Sequence, residues 1–404
     1  MRVHGYNYLG VGLVFLALGW GLLSSSMRAD TTINTPVTVQ LQPVAMEKDG
    51  ATFYKYGIWV SLGGSSVPQL FEFDTGGSGF YAAYASNITD NWWGNDITLT
   101  GKEVHNHYGS GIKYKGFDVI TSLSLYDPGS TTAKLTTGQD IHVGQSIEIT
   151  RDDVLVWPNE NDAAPVEGEF YGDFGLSLAP KSGNEEPVYN VFSQFSYGPG
   201  VVGAFIVSLS NPAEGVGVSQ VQIGATADDI DSFPLKFTMN TNPDGSYSTE
   251  LITAMVTLSN GSTTMDLSLP INLDTGTPTP TFHEATDFIP DDLLDSLTST
   301  IVAGTNLELS TQNLLDLFYQ LYAGNTYGLD QIDYKSGGDT NYLNIGAPFF
   351  YEYDVLFDFE NGVVGLRPSS VPEADSMGLV MISFVVLCFF TPRRWRGDSS
   401  WARG

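Results

Sequence analysis

The sequence predicts a mainly β fold built as two similar lobes about a pseudo-twofold axis. Three observations carry that prediction. Short runs of alternating apolar and polar residues recur along the chain, with turn residues between them. Glycine (44 residues), proline (20) and aromatics (12%) are plentiful, whereas charged residues make up only 16%. Such a composition suits many short strands and tight turns, not a helical bundle or a disordered chain. Finally, "LFEFDTGGS" at Leu70–Ser78 returns as "LPINLDTGTP" at Leu269–Pro278, an internal repeat about two hundred residues apart. The 404 residues suffice for one large domain or two ordinary ones.

Both ends read as addresses. Residues 1–29 read as a signal peptide, with Arg2 before an apolar core from Leu9 to Leu23 and Ala29 as the cleavage point. The alternative, a retained anchor, is disfavoured because that core is shorter than the ~20 residues a membrane span needs. Residues 371–404 hold Val371-Pro372-Glu373, an apolar run from Met377 to Phe390, and a basic cluster of Arg393, Arg394 and Arg396. An apolar stop followed by positive charge would hold its end on the cytoplasmic side. This three-part tail resembles the PEP-CTERM sorting signal of bacteria, read by a processing protease. It departs from it at Ala374, where a second proline is usual. A simple membrane anchor is the alternative. The expected location is therefore outside the cytoplasm: cell surface, periplasm or medium.

The single cysteine, Cys388, lies in that tail, so the body between the ends has no disulfide and must rest on its core. The chain carries a net charge of −29, and both ends are basic on balance, so the body is more acidic still. Such a surface repels nucleic acid and anionic membranes. Its self-repulsion eases toward the sequence pI of about 4.2, which suits a protein working in acid and equally a salt-adapted surface.

Along the body, "VTVQLQPV", "FYKYGIWVSLGG", "PQLFEFD", "VVGAFIVSLS", "VSQVQIG", "ITAMVTL", "MDLSLPINLD" and "YDVLFDF" each alternate as strands do. Two segments read as helices: "IPDDLLDSLTSTI" (289–301), with Pro290 at its first turn, and "TQNLLDLFYQLY" (311–322), with helical apolar spacing. In both repeat copies apolar residues stand one and three places before the Asp: Phe73 and Phe71, then Leu273 and Ile271. Each copy is followed at a distance by an apolar–Gly pair, Phe174-Gly175 and Ile345-Gly346. Two buried strands, each ending in Asp-Thr-Gly, would bring Asp74 and Asp274 together at the axis. The boundaries expected are residues 30–208 for the first lobe and 209–370 for the second.

Two carboxyls that close cannot both ionise easily, so they share a proton and their pKa values part. The ionised member can take a proton from a water while the protonated member polarises a carbonyl. That chemistry hydrolyses an amide with no metal, cofactor or covalent intermediate. Thr75 and Thr275 are placed to hydrogen-bond across the axis. Gly76 and Gly276 let backbone approach the carboxyls closely.

These motifs resemble those of the pepsin-like (A1-type) aspartic proteases, along most of the body. "HNHYGSGIKYKG" resembles the family's flap, which maps Tyr108, Gly109, Ser110 and Gly111 onto its tip. Tyr81 falls where the family places a Trp that hydrogen-bonds the flap tyrosine. "EPVYNVFSQF…VVGAFIVSLS" resembles the crossing between lobes, and "LNIGAPFFYEYDVLFDFENGVVGLRP" the closing strands. The resemblance implies that Asp74 and Asp274 catalyse and that Tyr108, Gly109, Ser110, Gly76, Gly276 and Thr277 meet the substrate. Thr75, Thr275 and Tyr81 would support the pair. The implied substrate is an extended polypeptide, and a monomer is expected.

The chain departs from the family at several points. The family carries a hydroxyl three residues after each Asp. Thr277 keeps it, but Gly77 replaces it in the first half, which puts the working pH range in doubt. Pro278 stands where a serine is usual, and the family's disulfides and long basic propeptide are missing. A non-catalytic polymer- or peptide-binding protein on the same fold is the rival reading, and Gly77 favours it. His105 and His107, with Glu103 on one strand face, have a spacing that can bind metal, but the segment already serves as the flap's rising strand. "NENDAAPVEGEFYGD" lacks the ordered ligand spacing of a calcium loop and reads as a solvated acidic loop.

Overall fold

The computed structural model describes residues 32–48, 50–85, 92–158, 164–179, 188–215, 217–311 and 317–369. The expected signal peptide and C-terminal tail lie outside them. Among the described residues no helix is long and apolar enough to cross a membrane.

Strands dominate the described residues, as the alternating runs predict, and they form two large sheets, a shared six-stranded one and a two-stranded pair. In the first large sheet the strand Gln69–Asp74 lies between Ala51–Leu62, antiparallel to it, and Gly172–Gly175, parallel to it. Phe80–Ala83 then runs antiparallel to Gly172–Gly175 and parallel to Ile141–Arg151. The second large sheet repeats this arrangement strand for strand. Thr264–Asn272 lies between Ile252–Ser259, antiparallel, and Tyr342–Asn344, parallel. Thr281–Glu284 follows antiparallel, and Asp333–Ser336 parallel to that. The register matches as well, because Asp173 pairs with Glu72 and Asn344 with Asn272. Each of these partners stands two places before its aspartate.

A six-stranded sheet joins the two. Its order is Leu235–Thr238, Val363–Pro368, Tyr353–Asp358, Val202–Ser208, Gln220–Ala225 and Val37–Gln40. It draws on chain before, between and after the repeat copies. Buried aromatics fill the first half, where Phe80 packs edge-on against Phe71 and tilted against Phe174. Phe71, Phe73, Phe80 and Phe174 are all fully buried, so the apolar residues at odd steps before Asp74 anchor its strand in the core.

Among the described residues neither of the two helices expected from spacing forms. Over 289–301 the chain forms a short 3-10 turn at Asp291–Leu293, then two two-residue strands, Leu294–Asp295 and Thr300–Ile301. Leu297, which a helix would bury with its neighbours, is 95% exposed at the tip between them. The β-branched Thr300 and Ile301 pair instead at the edge of the second large sheet, reaching Asp333. Of the second segment, residues 312–316 lie outside the described set. Leu317–Tyr322 is a strand antiparallel to Asn306–Ser310. In both places an open sheet edge overrides a weak helical preference. Among the described residues the α-helices are two short ones, Ala227–Asp231, capped by a Thr226–Asp229 box, and Phe349–Glu352.

Candidate active site

The two Asp-Thr-Gly turns meet where the large sheets face each other. Thr75 Oγ1 donates to the carbonyl of Leu273 at 2.7 Å, and Thr275 Oγ1 donates to that of Phe73 at 2.8 Å. Each hydroxyl also accepts the other threonine's backbone N–H, at 3.0 and 3.1 Å. All of these groups are buried, so the four bonds tie the two halves together at the axis. A Cβ on Gly76 would collide with the carboxyl of Asp274, and one on Gly276 would lie 2.6 Å from Cγ of Asp74. Glycine is required at both places because each turn lies against the opposite carboxyl.

The two carboxyls are buried to similar degrees, 9% and 8% exposed, but their surroundings differ. Asp274 accepts from Gly276 N (2.8 Å), Thr277 N (3.2 Å), Thr277 Oγ1 (2.7 Å) and Asn344 Nδ2 (2.6 Å). Asp74 accepts from Gly76 N at 2.8 Å, and Gly77 offers it no hydroxyl. Burial, and after it the negative charge of Asp274, pushes the Asp74 carboxyl well above the usual carboxylate range. Asp173 and Glu72 add to that push.

The segment expected to serve as the flap forms a hairpin of Ile97–His107 and Ile112–Thr121. Its tip closes with Tyr108 N donating to Ile112 O and Gly111 N to Tyr108 O. Gly111 has φ +85°, a left-handed conformation that glycine adopts freely. Gly109 and Ser110 are exposed at the tip, while Tyr108 is half-buried and turned inward. Its hydroxyl donates to Asp173 Oδ2 and accepts from Asn106 Nδ2 at 2.7 Å. Asn106 Nδ2 also reaches Ser78 O at 3.2 Å, linking the flap to the first Asp turn.

Tyr81 reaches the rising strand of the expected flap. Its hydroxyl donates to His105 O at 3.3 Å and its ring packs against Tyr114. Asp173 is a buried carboxyl acceptor for the Tyr108 hydroxyl. Asp173 itself overturns part of the acidic-loop reading, since Gly172–Gly175 is an inner strand with Asp173 only 3% exposed. Glu167, from the same stretch, pairs with Arg151 at 2.7 Å and with Lys55 at 3.5 Å. Lys55 in turn holds the buried Glu72 at 2.8 Å. His105 and His107 face Lys115 and Lys113 across the hairpin. Among the described residues no three His, Cys, Asp or Glu side chains cluster as a metal site would require.

Asp173, Asn344 and Asn106 were missed in the sequence. A signal for two of them existed. Asp173 precedes Phe174-Gly175 as Asn344 precedes Ile345-Gly346, so both repeat copies put a polar residue in a position that faces the pair.

No protein-family model matches the chain, and no curated protein matches it in sequence. Among solved structures it is similar to an aspartic proteinase from Irpex lacteus, at TM-score 0.54 and 16% identity. That match covers 85% of this chain and 100% of the other. At that identity the likeness speaks for the fold alone. Together with the strand-for-strand repeat, it shows that this chain has the bilobal, mainly β fold of the pepsin-like aspartic proteinases.

Proposed function

We propose that the chain is an aspartic endopeptidase in which Asp74 and Asp274 activate water against a peptide carbonyl. The observation that carries this reading is the reciprocal approach of the two Asp-Thr-Gly turns, each glycine lying against the opposite carboxyl. Hydrogen-bond donors favour the charged form of an acid. With four donors on Asp274 and one on Asp74 among the described residues, the pair's negative charge rests on Asp274 and its proton on Asp74. Asp274 then takes the proton of the attacking water, and Asp74 polarises the scissile carbonyl. The tetrahedral diol breaks down as Asp274 passes its proton to the nitrogen, the carbon–nitrogen bond breaks, and a diol hydroxyl returns a proton to Asp74. The titration belongs to the pair as a unit.

The substrate is an extended polypeptide that pairs with the exposed flap backbone at Gly109 and Ser110, with Tyr108 covering the carboxyls from above. The chain works outside the cytoplasm, delivered by residues 1–29 and held or sorted by residues 371–404. A second reading is favoured by Gly77: a binding protein on the same fold whose weakened pair holds peptides without cutting them. Incubating the full chain with an unfolded protein from about pH 3 to about pH 7 separates the two. Fragments are expected, together with binding of a statine-type peptide that mimics the diol. A folded chain that binds peptides yet yields no fragments at any pH would overturn the endopeptidase in favour of the binding protein.

A further inference from the structure

The first half lacks the hydroxyl that Thr277 supplies in the second, yet the place is not bare. A Cβ built on Gly77 would lie 2.6 Å from Asp74 Oδ2 and 2.8 Å from Asp173 Oδ2. The room that a side chain at 77 would take is therefore bounded by two carboxyl groups. In the other half the residue equivalent to Asp173 by strand register is Asn344, whose amide donates to both Asp274 Oδ2 and Thr277 Oγ1. We propose that Asp173, held neutral, is the donor to Asp74 that Thr277 and Asn344 are to Asp274. It is a positioning residue that takes over from the hydroxyl lost at Gly77. The proposal rests on the reading of Asp74 and Asp274 as the reacting pair.

Several observations require the neutral form. Asp173 is 3% exposed, and its Oδ1 has no hydrogen-bond partner. A bare buried oxygen is far costlier on a carboxylate than on a neutral acid. The groups that face it are Asp74 and Glu72 from its own sheet, Asp274 from the other half, Tyr108 from the flap, and Lys55. Tyr114, also close, is a neutral phenol. Burial and then Glu72 push the Asp173 carboxyl well above the usual range, while the Tyr108 hydroxyl and Lys55 pull the other way without cancelling the rise. One oxygen serves both neighbours: Oδ2 accepts from Tyr108 and gives its own proton toward Asp74. As pH rises and Asp173 ionises, that donor is lost and a third negative charge faces the pair. Asp173 would therefore set the alkaline limit of the activity. Through Tyr108 it also couples the flap to the carboxyls.

The test compares the wild-type full chain with Asp173→Asn and Asp173→Leu. Leucine removes the donor, and kcat should fall about ten- to a hundredfold below the alkaline limit with KM little changed, the worth of one hydrogen bond to the carboxylate that Asp74 becomes as it yields its proton. Asparagine keeps a donor that does not titrate. It should recover most of that loss and move the alkaline limb to higher pH. Asp173→Leu matching the wild type, or Asp173→Asn falling as far as Asp173→Leu, would overturn the proposal. If even the wild type cuts nothing, the endopeptidase reading fails by itself, and infrared spectroscopy still judges Asp173. A protonated-carboxyl stretch at neutral pH that Asp173→Asn abolishes supports it, and an unchanged spectrum overturns it.

Discussion

Replacing Thr275 by valine exchanges a hydroxyl for a methyl of nearly the same shape, so packing at the axis is kept and two hydrogen bonds are lost. The bond to Phe73 O at 2.8 Å disappears, and Thr75 N loses its acceptor at 3.1 Å. The reciprocal pair, Thr75 Oγ1 to Leu273 O and Thr275 N to Thr75 Oγ1, remains. A buried N–H left without a partner costs about 1–3 kcal/mol, and a carbonyl, with two lone pairs, sits toward the lower end. The substitution should therefore destabilise the chain by about 2–4 kcal/mol. Urea unfolding reads this as a lower midpoint at unchanged slope. Thr275→Ser, which keeps the oxygen, should lose less than half as much. A Thr275→Val chain within about 0.5 kcal/mol of wild type would refute the view that the crossed threonines hold the two halves in register.

Other outcomes follow from the same geometry. Thr277→Val removes the 2.7 Å donor to Asp274 and should lower the cleavage rate about tenfold or more, measured as kcat on a peptide substrate. Gly276→Ala puts a methyl 2.6 Å from Cγ of Asp74; it should abolish cleavage and destabilise by about 1–3 kcal/mol, seen in the same urea titration. Folding stability should fall as pH rises. Asp74 and Asp173 are raised by burial, so the folded state keeps protons the unfolded chain has already lost above the ordinary carboxyl value near 3.8. Their contribution is complete below that value and is lost as pH climbs through their raised folded values. Asp173→Asn should flatten part of that decline in urea midpoints collected across the range.

Much of the framework was legible because its chemistry is local. Phe71 and Phe73, Ile271 and Leu273 alternate on short strands, and the turn residues that follow can only bend and expose an acid. The doubled motif announces the axis without any knowledge of the strands between. Where a neighbour decided the outcome, the sequence was a poorer guide. Leu293, Leu294, Leu297 and Ile301 carry helical spacing, but a sheet edge captured Thr300 and Ile301 and left Leu297 in solvent. Asp173 looked like part of a solvated acidic run because nothing within that run shows it pairing beside Glu72. The carboxyl that the Tyr108 hydroxyl meets was likewise invisible in the sequence, because Asp173 lies sixty-five residues away.

The central claim is that two aspartates, one from each half, act as a single acid–base unit. Cleavage of an unfolded protein by the full chain, beside Asp74→Asn and Asp274→Asn chains shown to be folded, tests it most directly. Each single substitution leaves half of the unit and should remove cleavage at every pH. Undiminished cleavage by both variants would contradict the account.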